Sequence, residues 1–249
     1  MDHSELISIF HERVKGRTLP PLEHDGSIGH WIENQFGVSA NADDSADWSG
    51  YELKSGKTKT TFGDWSADYY IWKDPNSGID SRDHFLTMFG TQSREDRPGR
   101  YSWSGRVFPK VHGYNEYGQI MEVDFNDDIV INYDFSMDDR MDKHSIIPYN
   151  LQSGVVELAR WDSYTMEARV SKKFGQRGWA KFEISGGVVE SMLIGPPMTF
   201  AQWINDVRTG EIFLDSGMYF DPIKPNDRPY SNWRANNGYW DSLAIDRIY

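Results

Sequence analysis

The chain contains no cysteine in its 249 residues. That excludes a disulfide framework and any metal site built on thiolates. Long hydrophobic runs are also missing. The longest uncharged stretch, residues 191–205, is interrupted by Gly195, Pro196 and Pro197 and is too short to span a bilayer. The opening MDHSELISIFHERVK has acids early and no apolar core of signal-peptide type. A cytoplasmic protein is therefore expected. No excess of positive charge exists: 26 Lys and Arg face 38 Asp and Glu, a formal net charge of −12. Taken as a sum, that charge argues against a polyanionic partner. No internal repeat, low-complexity linker or domain boundary is visible.

The charge is unevenly spread, however. Residues 169–181 (RVSKKFGQRGWAK) carry five bases and no acid, and residues 82–112 hold six bases against three acids. Residues 122–142 hold eight acids and one base. Such segregation lets one side grip phosphates while the other keeps the protein soluble, although charge runs also serve simply as solvated faces. The ten Trp suit core and hairpin packing.

The hydrophobic pattern predicts an amphipathic helix over 4–15 and a second over 27–36, stopped by Gly37. Strands are expected at 48–54, 119–125 and 128–135, the last two joined by an Asn126-Asp127 turn. A hairpin of 164–170 with 179–185 is expected across the Gly175 turn. A helix over 199–208 and a strand over 211–215 follow, then a loop-like tail at 217–240. The mixture of helices and hairpins indicates a mixed α/β domain, bilobed in outline.

The segment SADWSGYELKSGK carries the chemistry. Side chains alternate along a strand, so Glu52 and Lys54 share one face while Tyr51 and Leu53 share the other. Asp47 lies at the loop–strand junction, within reach of the same spot. Two carboxylates beside an ammonium make a site for a hard divalent cation such as Mg²⁺, which takes oxygen ligands. Metal and amine together would offset charge on a scissile phosphate. By itself this trio also fits an exposed strand bearing a surface ion pair.

The segment GSIGHWIENQFGV, an acidic spacer and then D-x-x-G-Y-E-L-K resemble the MvaI/BcnI family of restriction endonucleases. These are PD-(D/E)XK nucleases related to the mismatch-repair nicking enzyme MutH. LTMFGTQSREDRPGRYSWSGRVF resembles the family's central basic stretch, and FAQWINDVRTGEIFLD with NDRPYSNWR its C-terminal helix, strand and base-reading loop. Ala46 stands where the motif's Pro is usual, a departure that leaves the ligand Asp47 in place. The resemblance implies an α/β restriction-endonuclease-like fold, a mixed central sheet flanked by helices and bilobed with a DNA cleft, forming a single nuclease domain over 1–249. Its catalytic lobe would be built around 25–60, and its DNA-reading elements would lie at about 82–115 and 211–240.

It further implies that Asp47, Glu52 and the Leu53 carbonyl hold Mg²⁺, that Lys54 positions and activates the water, and that Glu33 is an auxiliary carboxylate. The implied DNA-binding residues are Lys57, Lys59, Arg94, Arg97, Arg100, Arg106, His112, Asp215, Arg228, Asn232 and Arg234. Arginine suits guanine and aspartate suits cytosine; phosphate contact is the commoner fate of a base at such a surface. The implied activity is Mg²⁺-dependent cleavage of double-stranded DNA at a short GC-rich site, leaving 5′-phosphate and 3′-hydroxyl ends. The enzyme would act as a monomer nicking each strand in turn, with a cognate methyltransferase acting on the same site. Two alternatives stand beside it: a MutH-like strand-nicking repair endonuclease, and a non-catalytic, aromatic-rich carbohydrate-binding module.

Overall fold

A computed structural model describes residues 2–21, 26–39, 44–55, 59–92, 96–224 and 229–249, the Arg106 side chain excepted. Its helices are α1 (Ser4–Ile9), α2 (Ser27–Gln35), α3 (Arg82–Phe89), α4 (Lys143–Ile146), α5 (Ser163–Phe174), α6 (Phe200–Thr209) and α7 (Tyr239–Leu243). The strands of the first half are β1 (Tyr51–Ser55), β2 (Lys59–Asp64), β3 (Tyr69–Tyr70), β4 (Tyr101–Ser102), β5 (Tyr117–Val123) and β6 (Ile129–Asp138). Those of the second half are β7 (Val155–Trp161), β8 (Gly178–Ser185), β9 (Val188–Gly195), β10 (Ile212–Asp215), β11 (Tyr219–Phe220), β12 (Asn232–Asn236) and β13 (Asp246–Ile248). The chain divides into two units. One comprises Met1–Thr60, Glu167–Trp203 and Ala235–Tyr249, the other Thr61–Met166 and Ile204–Arg234.

The first unit is built on a sheet of order β1-β8-β9-β13. β1 and β8 run parallel, Glu52 beside Trp179 and Lys54 beside Lys181, whereas β8–β9 and β9–β13 are antiparallel. Alternation along β1 sends Tyr51 and Leu53 into the core, where they pack with Leu6, Phe10, Val14, Ile28, Ile32 and Phe36. The expected N-terminal helix is present as α1 continued by a π-helical turn over Phe10–Val14, with Lys15 N–H donating to the Phe10 carbonyl at 2.8 Å. The expected second helix is α2, ended by Gly37 at φ +77°.

Parallel neighbours cannot be joined by a tight turn, so β8 needs a crossover, and α5 is the helix that leads into it. This corrects the expected hairpin of 164–170 with 179–185. The second strand exists as β8, but 164–170 lies inside α5. Tyr, Thr and Val in that stretch favour strands. Met166, Val170 and Phe174 nevertheless repeat every fourth residue, and all three are fully buried. A continuous helical stripe outweighs propensity.

The second unit carries a sheet of order β3-β7-β6-β5, a β4–β11 pair and most of a β10-β12-β2 sheet. The expected 119–125 and 128–135 hairpin is β5–β6, turning through Asp127 at φ +65°. Seven of the ten Trp are buried across the chain, as packing residues should be. In this unit Trp161 Nε1 donates to the Trp65 carbonyl at 2.7 Å, and Trp103 Nε1 donates to Gln119 Oε1 at 2.7 Å. The helix expected at 199–208 is α6 and the strand at 211–215 is β10. The tail read as loop contains β12, whose Trp233 and Ala235 are fully buried between polar neighbours. Among the described residues no helix is long and apolar enough to cross a membrane.

Candidate active site and nucleic-acid interface

Trp48 and Tyr51 exchange backbone hydrogen bonds at 2.9 and 2.7 Å around Ser49 and Gly50. Both turn residues have positive φ, +45° and +84°, the requirement of a two-residue turn that matches strand twist. The turn folds the chain so that Asp47 lies back along β1, where its Oδ2 accepts the Leu53 N–H at 2.8 Å. Asp47 is thus fixed against the strand that carries Glu52 and Lys54.

On the face of β1 opposite Tyr51 and Leu53, Lys54 Nζ donates to Glu52 Oε1 at 2.6 Å. Glu52 is only 2% exposed. Its other oxygen, Oε2, is buried and has no hydrogen-bond partner among the described residues. Burial pushes the Glu52 carboxyl up to about 7, against the opposing pull of Lys54 and Lys173. Glu33, half-buried on α2, is also raised, by burial first and then by the charge of Asp47. The four expected residues therefore belong to one electrostatic group.

Two residues that the sequence did not single out complete it, and both come from the C-terminal end of α5. Phe174 lies under the Lys54 ammonium, 5.3 Å from ring centre to Nζ. Lys173 Nζ stands 3.5 Å from Glu52 Oε1 and 3.4 Å from Asp44 Oδ1. Burial opposes its charge, but Glu52, Asp44 and Asp47 hold its pKa above the ordinary lysine value. Among the described residues no cluster of three or more His, Cys, Asp or Glu is placed to hold a metal. The expected ligand set does not call for one, since its third member is a main-chain carbonyl.

The candidate DNA-reading residues of the second unit divide into two groups. Arg234 on β12 and Asp215 at the end of β10 are neighbours, with Arg234 Nε 3.5 Å from Asp215 Oδ2. Each side chain is about one-third exposed. Asn232 begins the same strand and is partly exposed. In the central stretch, Arg97 lies 3.7 Å from the buried Asp221, and Arg100 covers the Tyr219 ring at 4.3 Å. His112 is exposed beside Gly210, the residue after α6. In the first unit Lys59 is exposed at the start of β2. Lys57, Arg94, Arg228 and the side chain of Arg106 lie outside what is described.

The model of the LlaMI restriction endonuclease family matches residues 18–248 of the chain. The type II restriction enzyme ScrFI of Lactococcus lactis subsp. cremoris is 43% identical over 267 aligned positions, covering 97% of this chain and 96% of that enzyme. A solved complex of restriction endonuclease MvaI with its cognate DNA superposes with a TM-score of 0.60 at 13% identity. That match covers 99% of this chain and 98% of MvaI, and it bears out the restriction-endonuclease-like α/β fold. The expectation of a restriction endonuclease is met, and the carbohydrate-binding alternative falls. With the family model spanning residues 18–248, nearly the whole chain, the protein belongs to the LlaMI restriction endonuclease family.

Proposed function

We propose that the chain is a Mg²⁺-dependent type II restriction endonuclease of the MvaI/BcnI kind, within the MutH-like branch of the PD-(D/E)XK nucleases. It cleaves duplex DNA at a short GC-rich site and leaves 5′-phosphate and 3′-hydroxyl ends. It works in the cytoplasm as a monomer that nicks each strand in turn, alongside a methyltransferase that protects the same site. In this reading the first unit supplies the cleavage chemistry. The second supplies the reading elements, with Arg234 and Asp215 turned to a G·C pair.

The observation that carries the reading is the orphaned oxygen of Glu52. A buried carboxylate normally fills all its acceptor positions. Here the available ammonium groups stand on Oε1, and Oε2 has none. A hard divalent cation on Oε2 would remove both the orphan and the penalty of burying an anion. Asp47, Glu52 and the Leu53 carbonyl are the residues that would hold it. Bound there, Mg²⁺ supplies Lewis acidity toward a phosphate oxygen and lowers the pKa of an attacking water. Lys54 then orients that water and offsets negative charge as the phosphorus becomes five-coordinate. Glu33 contributes an outer carboxylate that holds a water or a second ion.

The test is digestion of supercoiled plasmid in Mg²⁺. Discrete linear fragments that vanish in EDTA are expected. Lys54→Ala should cut at least ~100-fold more slowly while still binding the same DNA in Ca²⁺. Open circles alone would transfer the protein to the strand-nicking class. A Lys54→Ala protein as fast as the parent overturns the assignment of the site.

A further inference from the structure

Lys54 has two tasks that exclude each other. In the structure it neutralises Glu52 at 2.6 Å, whereas in the proposed reaction the same amine serves the attacking water and the phosphate. Once Lys54 turns away, Glu52 needs another group to hold its carboxylate. That group is already present. Lys173, near the end of α5, reaches the same Oε1 at 3.5 Å.

The setting of Lys173 is unlike that of its neighbours on α5. Its side chain is only 15% exposed, and it bridges two carboxylates, Glu52 and Asp44. The adjacent Phe174 is fully buried, and its carbonyl accepts the Met198 N–H at 3.1 Å. The helix then stops at Gly175, where a Cβ would fall 2.7 Å from the Ser171 carbonyl oxygen. These contacts fix the last turn of α5, and with it the point from which the Lys173 stem enters the site. An ammonium held in this way is pre-organised, not recruited from solvent.

We infer that Lys173 is a positioning residue of the cleavage site: anchored on α5, it holds Glu52 through Oε1 so that Oε2 stays turned toward the metal and Lys54 is released for the phosphate. The inference rests on the metal-dependent nuclease reading above. It adds a residue from a segment 119 positions beyond Lys54, outside the acid–acid–amine motif.

The two roles open to a buried ammonium near a metal site predict opposite signs. Were Lys173 only a nearby positive charge, its removal would tighten a divalent cation by relieving repulsion. As a positioning group, its removal frees the Glu52 carboxylate to rotate, and the cation binds more weakly. Partners that orient a metal ligand typically contribute 10–100-fold to metal affinity or activity.

The experiment uses the full chain and Mn²⁺ alone as probe, titrated without DNA by electron paramagnetic resonance. It is paired with single-turnover plasmid cleavage in saturating Mg²⁺. Lys173→Met is expected to weaken Mn²⁺ by ~10-fold or more and to slow cleavage comparably. Lys173→Arg, which restores a cation on the same stem, should recover most of both. Lys54→Ala should bind Mn²⁺ nearly as the parent does, because Lys173 still anchors Glu52. If Lys173→Met lacks the parent's near-ultraviolet dichroism, Lys173→Gln replaces it with the same expected signs. Unchanged or tighter Mn²⁺ binding without the Lys173 ammonium overturns the inference while leaving a cleaving parent intact. A parent that cuts no DNA overturns the nuclease reading itself, and this inference with it.

Discussion

Replacing Glu52 by Gln should stabilise the protein while abolishing its activity, and the size of the gain follows from the site. Burial lifts the Glu52 carboxyl from 4.5 to about 7 in the folded chain. Below pH 4.5 both folded and unfolded chains hold the proton, so the shift has no effect. Between 4.5 and about 7 the folded chain keeps a proton that the unfolded chain has lost, and stability falls as pH rises. Above about 7 the full deficit remains, ~3 kcal/mol. Glutamine has the shape of the protonated acid and never meets this deficit. For a chain of this size ~3 kcal/mol corresponds to roughly 6–12 °C in the unfolding midpoint. The assay is thermal unfolding followed by tryptophan fluorescence in EDTA from pH 4.5 to 8.5. Glu52→Gln should exceed the parent by that margin at pH 8 and converge with it near pH 4.5. Added Mg²⁺ should raise the parent alone. A variant less stable than the parent at pH 8, or a gap that does not change with pH, would refute the reasoning.

Two further outcomes test the surroundings of the site. Gly50 has φ +84°, and a Cβ there would meet Gln176 Oε1 at 3.0 Å and Arg177 Cγ at 3.2 Å. Gly50→Ala should lose ~1–2 kcal/mol and cut more slowly, because the turn that seats Asp47 shifts; urea unfolding at the parental midpoint would contradict this. Arg234→Lys removes a bidentate fork from the strand end beside Asp215. Discrimination at one G·C position should fall by ~1–3 kcal/mol, read from cleavage rates on sites altered one base at a time. A uniform loss on every sequence would mark Arg234 as a phosphate contact.

Three of the four site residues expected from the sequence lie close together in the chain, and the fourth, Glu33, came from the family resemblance. Asp47, Glu52 and Lys54 fall within eight residues, so strand alternation alone puts the last two on one face. Lys173 was hidden because its relation to Glu52 depends on a parallel pairing, β1 with β8, that nothing local encodes. It was hidden further because 164–170 reads as a strand by propensity. The Met166, Val170 and Phe174 repeat was the available signal for a helix there. β12 was obscured for a different reason. Its polar positions are Asn232, Arg234 and Asn236, residues common in loops, and only the buried Trp233 and Ala235 between them mark the alternation. The two-unit division left no trace because each unit is assembled from separate stretches of chain, so there is no linker for composition to expose.

β1 and β8 are hydrogen-bonded neighbours, yet Thr61–Met166, the larger part of the second unit, lies between them in the sequence. The strand that carries Glu52 and the end of the crossover helix that carries Lys173 thus bracket an insert of more than a hundred residues. Evolution can rewrite such an insert, and with it the DNA contacts proposed for residues 82–115, without disturbing the register on which the proposed hydrolysis depends. The same arrangement argues against a catalytic fragment that ends upstream of β8. A chain ended before residue 163 would keep every motif residue and lose β8, the only strand among the described residues that pairs with β1.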